Sequence, residues 1–172
     1  HTLERQHRLV KEVQEIYTKQ GRISRFRFRH GLFQVYLYNR LSAGQQRLLH
    51  GQVARHVEEL HLGQVEEIAG QLARHYHLAD NRDQACRYYA LAGDRAARLY
   101  ANVEAQLHYS RAIEMGERIP ITKSFQASLY RARGRVMERM GEFEHALSDH
   151  NNSLELARSL DDPELKWICL LD

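Results

Sequence analysis

One pattern constrains this chain more than any other: a small residue, a large one four positions later, and a second small one three beyond that. It reads Ala85-x-x-x-Tyr89-x-x-Ala92, then Ala105-x-x-x-Tyr109-x-x-Ala112, then, degraded, Ala146-x-x-x-His150-x-x-Ser153. Residues three and four apart share one face of a helix. Small side chains let a neighbouring helix approach closely, and the ring between them fills the gap. One helical hairpin cannot bury such faces alone, so repetition predicts hairpins stacked on one another. Only two prolines occur in 172 residues, so long helices run uninterrupted. The expected fold class is all-α, an α-solenoid of antiparallel helical hairpins.

The breaks in the pattern set the elements. Helices are expected over about 65–79, 82–99, 102–117, 124–140, 143–160 and 163–171. They are separated at Asp80-Asn81, Ala101-Asn102, Ile119-Pro120, Gly141 and Asp161-Asp162-Pro163. Upstream, Leu32, Val35, Tyr36 and Leu37 form the face of a short helix. Ser42 caps the next, which carries Leu48, Leu49, Val53, Val57 and Leu60 and stops at Gly63. Before Gly31 the period differs. Arg25 to Arg29 alternates strictly, as a half-buried strand does. Residues 9–17 suit either a helix or a strand, but that alternating strand needs a partner and no other segment is near. A β-hairpin over about 9–29 is therefore expected, turning at Thr18-Lys19-Gln20-Gly21 and preceded by a helix that ends near Arg8.

Several chemistries find no support. No G-x-x-x-x-G-K-[ST] loop exists; Lys123-Ser124 is preceded by Thr122, not Gly. His75 and His77 are two apart and diverge on a helix; His145 and Asp149 are four apart without a third ligand, so no metal is expected. Glu58-Glu59, Glu66-Glu67 and Asp161-Asp162 are sequence neighbours, the wrong spacing for a paired acid and base. Cys86 and Cys169, the only cysteines, read as buried thiols rather than a disulfide framework, which agrees with a cytoplasmic location. No apolar run is long enough for a membrane span. No cofactor and no catalytic residue is expected, so the chain reads as a non-enzyme.

Two resemblances go further. Tyr130-x-x-x-Gly134-x-x-Met137-x-x-x-Gly141-x-Phe143-x-x-Ala146, followed by Leu154 and Pro163, resembles a tetratricopeptide repeat, as does Leu72-Ala73-x-x-Tyr76 followed by Ala85, Tyr89 and Ala92. The copies are divergent: Ala85 to Ala105 spans 20 residues and Ala105 to Ala146 spans 41, against a repeat of about 34. The front of the chain, His7-Arg8-Leu9-Val10 with Arg25-Phe26-Arg27-Phe28-Arg29-His30-Gly31-Leu32, resembles the end of a winged-helix module. Such a module joins the ATPase to C-terminal helical repeats in bacterial STAND-type signalling ATPases, multidomain nucleotide cyclases and transcriptional regulators. The resemblance implies three parts: a winged-helix end at 1–40, a connecting helix at 41–64 and tetratricopeptide-like repeats at 65–172. It also implies that the chain is a piece of a longer protein, with the ATPase before residue 1 and further repeats after Asp172.

On that frame the expected function is regulatory: a sensor arm that takes a protein, a peptide or an inducer on its concave helical face. Arg131, Arg135 and Arg139 recur every fourth residue on one helix and are candidates for that face; Arg74 and His77 are the counterparts in the earlier hairpin. Guanidinium groups suit carboxylate-bearing partners. The competing reading of the three arginines is pairing with Glu138 and Glu142 on a wet face. Residues 1–60 hold 11 Lys and Arg against 5 Asp and Glu. Arg22, Arg25, Arg27 and Arg29 on the hairpin are accordingly candidates for nucleic-acid or interdomain contact. Trp167, Leu170 and Leu171 make an apolar C-terminal run that could mediate self-association.

Overall fold

A computed structural model describes residues 9–18, 21–61 and 63–160. Among them the chain is mostly helical, with one two-stranded hairpin ahead of seven α-helices. It divides into two compact units, residues 1–49 and 50–172, with the boundary inside one helix. The expected helix before Arg8 and the helix at 163–171 lie outside the described residues.

In the first unit, β1 (Val10–Thr18) pairs antiparallel with β2 (Gly21–Phe28). The ambiguity over residues 9–17 thus resolves as strand. Val10 faces Phe28, Lys11 faces Arg27 and Glu12 faces Phe26. The register then slips, so that Gln14 faces Arg25 and Val13 is the extra residue of a bulge. After the hairpin comes α1 (Gly31–Asn39), which touches β2. It is apolar nearly throughout, yet no residue in it is buried, and Leu32 is 83% exposed. The turn into α2 (Ala43–Leu60) is fixed by a reciprocal cap: Gln45 N donates to Ser42 Oγ (3.3 Å) and Ser42 N donates to Gln45 Oε1 (2.8 Å).

The second unit holds the core. After a short 3₁₀ turn (Val65–Ile68) come α3 (Ala69–Leu78), α4 (Arg82–Arg98), α5 (Asn102–Gly116), α6 (Lys123–Arg139) and α7 (Phe143–Ser159). The helix expected over 65–79 is therefore a tight turn followed by a shorter helix. Each of α3 to α7 packs on its chain neighbours, and α4 also touches α6.

Side-chain pairs run in opposite order between α4 and α5 and between α6 and α7, so these neighbours are antiparallel. Cys86 donates to Ala112 O (3.2 Å) and Tyr109 Oη donates to Asp94 Oδ1 (2.7 Å) between α4 and α5. Ser153 Oγ donates to Ala127 O (2.9 Å) between α6 and α7, while Arg133 meets Asp149 at the other end.

The repeated face is the buried one. Ala85, Tyr89, Ala92, Ala105, Tyr109, Ala112, Ala146 and Ser153 are all buried. Close approach explains two glycines within it. A Cβ on Gly93 would stand 2.7 Å from the Tyr109 ring, and one on Gly134 would stand 2.9 Å from His150 Nε2. Three helices end in the same way. Asp80 after α3, Tyr100 after α4 and Gly141 after α6 all take left-handed backbone, at φ of 58°, 57° and 79°. The next residue in each case donates back into the last turn: Asn81 N to Tyr76 O, Ala101 N to Ala96 O and Glu142 N to Met137 O, each 2.9 Å.

Candidate functional site

The candidate site lies where α4 and α6 approach each other. On α6, spacing by four puts Arg131, Arg135 and Arg139 along one stripe. That stripe does face a cavity, of about 400 Å³. The opposite wall comes from α4: Ala90, Asp94, Ala97 and Arg98. Tyr109 reaches in from α5, and Phe125, Leu129 and Val136 complete an apolar lining. Four arginines therefore line one cavity together with one acidic residue, Asp94, which accepts a hydrogen bond from Tyr109.

The heads are partly anchored by their surroundings. Arg139 Nη1 donates to Ala97 O (3.2 Å), and its guanidinium lies 5.8 Å from the centre of the Tyr100 ring. Arg98 pairs with Glu66 Oε2 at 2.5 Å across an exposed surface. Burial and the hydrogen bond to Asp94 push the Tyr109 hydroxyl well above its usual pKa, while the charges of Arg139 and Arg98 pull against that shift. Both cations are therefore close enough to act on the wall of the cavity.

Each of the two acids expected as alternative partners of the arginine stripe also contacts a further group. Glu138 lies 3.3 Å from His150 Nε2, and Glu142 accepts from Gln106 Nε2 at 3.0 Å. Arg74 and His77 do not line this cavity. Both are exposed on α3, where His77 meets the edge of Tyr89. The reason is positional: α4, not α3, is the helix that touches α6. Arg98, Asp94 and Tyr109 could not be assigned from spacing, because they come from two other helices.

On the hairpin, Arg25, Arg27 and Arg29 are exposed, and the register places Lys11 directly opposite Arg27. Arg22 belongs to β2, opposite Tyr17 in the register. Trp167, Cys169, Leu170 and Leu171 lie outside the described residues.

Other polar groups are committed to holding helices together. Arg133 Nε and Nη2 fork onto Asp149 Oδ2 and Oδ1 at 2.7 and 2.8 Å, and Nη1 donates to Ser110 Oγ (3.1 Å). Asp149 is only 4% exposed, so this pair is buried; the carboxylate that stands four residues after His145 is thereby occupied. Glu58 on α2 accepts from the hydroxyls of both Tyr76 and Tyr88, whose rings stack 5.5 Å apart. Burial, then that hydrogen bond, raises the Tyr76 hydroxyl to about 12. His50 and His75 approach Nδ1 to Nδ1 at 2.9 Å, one ring donating and the other accepting. Cys86 is fully buried, and its thiol is pushed up to about 11, chiefly by burial. Such a thiol is a weak nucleophile at neutral pH.

Among the described residues no group of three His, Cys, Asp or Glu could hold a metal ion, and no helix is long and apolar enough to cross a membrane. No protein-family model matches this chain, and no curated protein or solved structure matches it.

Proposed function

We propose that this chain is a non-catalytic interaction and regulatory module: the end of a winged-helix element followed by tetratricopeptide-like hairpins, serving as the sensor arm of a cytoplasmic STAND-type signalling ATPase. In this reading the stacked hairpins present a concave face to a protein, a peptide or an inducer. Occupancy of that face biases the parent between two states by the difference in affinity for each. The observation that carries the proposal is the cavity between α4 and α6, which arginines of both helices line. Convergent polar groups over an apolar lining are what a recognition site needs. The neighbour-to-neighbour packing of α3 to α7 and the buried small–large–small faces support the repeat architecture.

The test is selection of binders from a random-sequence peptide library displayed on phage, against the whole chain. The expected outcome is enrichment of peptides that lose binding to Arg135→Glu while the variant keeps its melting temperature. Failure to enrich any binder, or enrichment indifferent to this substitution and to Arg131→Glu, argues against the groove as the recognition face.

A second reading, nucleic-acid contact through the hairpin, is favoured by the pairing of Lys11 with Arg27, which adds a further cation to the face of Arg25. It requires duplex binding that weakens steeply with salt and is lost in an Arg25→Gln, Arg27→Gln double variant.

A further inference from the structure

We propose that His50 and His75 form a chelating pair for one imidazole-preferring divalent metal ion, of the zinc or nickel class, which ties α2 to α3. His50 lies on α2 and His75 in the last turn of α3. The two backbones come close at this point: a Cβ on Gly51 would stand 3.6 Å from the Ala79 Cβ. The rings meet Nδ1 to Nδ1 at 2.9 Å, with centres 5.1 Å apart and planes tilted by 42°. Geometry is the first reason. Zinc sits about 2.0–2.1 Å from an imidazole nitrogen, so a tetrahedral angle puts two such nitrogens about 3.4 Å apart and their ring centres about 5 Å apart. The helices already hold the ring centres at that spacing. An ion therefore needs the rings to pivot until the nitrogens open by about 0.5 Å, with the helices left where they are.

Protonation is the second reason. Burial, and then Arg74, hold His50 below the usual histidine range; His75 is held below it by burial, then by His50 and Arg74. Both rings are therefore neutral at pH 7, the form that binds metal. In the pair, one Nδ1 carries a hydrogen and the other accepts it. On binding, the donor ring takes its other neutral tautomer, with the hydrogen on Nε2. Both Nδ1 lone pairs then face the ion, and no net proton is released. The donor type is the third reason. Imidazole nitrogens suit zinc, nickel or copper, whereas magnesium and calcium take oxygen ligands. Two protein ligands leave the remaining positions to water, in keeping with the lack, among the described residues, of any group of three His, Cys, Asp or Glu. Arg74 repels the ion as it repels a proton, so binding is weaker than at a four-ligand structural site.

The experiment is isothermal titration of the whole chain with zinc chloride, and separately with magnesium chloride. The proposal expects one saturable zinc site, no magnesium binding, and a melting temperature that rises with zinc. The zinc dissociation constant should rise at least about tenfold in His50→Gln and in His75→Gln. It should be unchanged in His56→Gln, whose Nδ1 meets Gln52 O within α2, and in His145→Gln on α7. These controls matter because the chain has eleven histidines. Melting temperatures without metal report that each variant is folded. Zinc binding that survives in both pair variants, or that falls as much in His56→Gln, means an adventitious ion only and overturns the proposal. So does the absence of saturable zinc binding, or equal binding of magnesium. If a pair variant fails to fold, imidazole nitrogen NMR of the unaltered chain decides. Zinc must then leave two rings metal-bound at Nδ1 with hydrogen on Nε2, and rings bound through Nε2 instead refute the pair.

Discussion

The two units of this chain use apolar residues in opposite ways. In the first, α1 is made of Leu32, Phe33, Val35, Tyr36 and Leu37 on almost every side, and none of them is buried. In the second, the helices are rich in Ala, Arg, Glu and Gln, yet every buried residue named in the core belongs to it. Apolar content alone therefore does not make a core. What makes one is a stripe narrow enough for two backbones to close on it, as Gly93 does on Tyr109 and Gly134 on His150.

The sharpest way to break that contrast is to remove one ring from each unit. Tyr89 is 2% exposed and Tyr36 is 58% exposed. Tyr89→Ala is expected to cost about 3–5 kcal/mol in urea denaturation, whereas Tyr36→Ala should stay within about 0.5 kcal/mol. Equal losses would mean that α1 has a core of its own. The next contrast concerns charge. Asp149→Ala leaves Arg133 unpaired between helices and should cost about 3 kcal/mol or more. Arg27→Ala on the exposed hairpin should change stability by less than about 0.5 kcal/mol. A small effect at Asp149 would show that water reaches Arg133.

A smaller effect depends on pH. His50 and His75 have pKa values held below the usual 6.5, mainly by burial, with Arg74 adding repulsion in both cases; His108 is lowered chiefly by burial, against the pull of Glu104. The folded state therefore prefers the neutral rings. Their contribution is complete above about pH 6.5 and is lost as pH falls through the lower folded values. The urea midpoint should decline as pH is taken from 7.5 to 5, with a shallower decline in His75→Gln, which removes one partner of the His50 contact. A midpoint that is flat over this range would sink the idea.

Much of this was legible in the residues because it is local. The helices follow from a period of 3.6, and the small–large–small stripe predicts which face each one buries. Ser42 was readable as a cap, since an oxygen three residues before a glutamine is a local device. The arginine stripe on α6 was readable for the same reason. The bulge at Val13 was not, because alternation in one strand says nothing of the register in its partner. Nor was the tight turn at Val65–Ile68 distinguishable from the first turn of a longer helix. The other wall of the cavity depends on which helices meet. Asp94 and Arg98 lie 33–45 residues, and Tyr109 22–30 residues, away from the α6 arginines, and no spacing rule spans helices. Glu58 is the same kind of case, with its two tyrosines on different helices.

The packing of α3 to α7 on their immediate chain neighbours has a consequence for how the unit assembles. A contact between adjacent helices closes only a short loop, so little chain entropy opposes it. Acquisition of the native state is then expected to be fast and to spread from one helix pair to the next. Damage should spread as little as folding does. In Asp149→Ala, native-state hydrogen exchange should accelerate in α6 and α7 while the amides of α3 and α4 keep their protection.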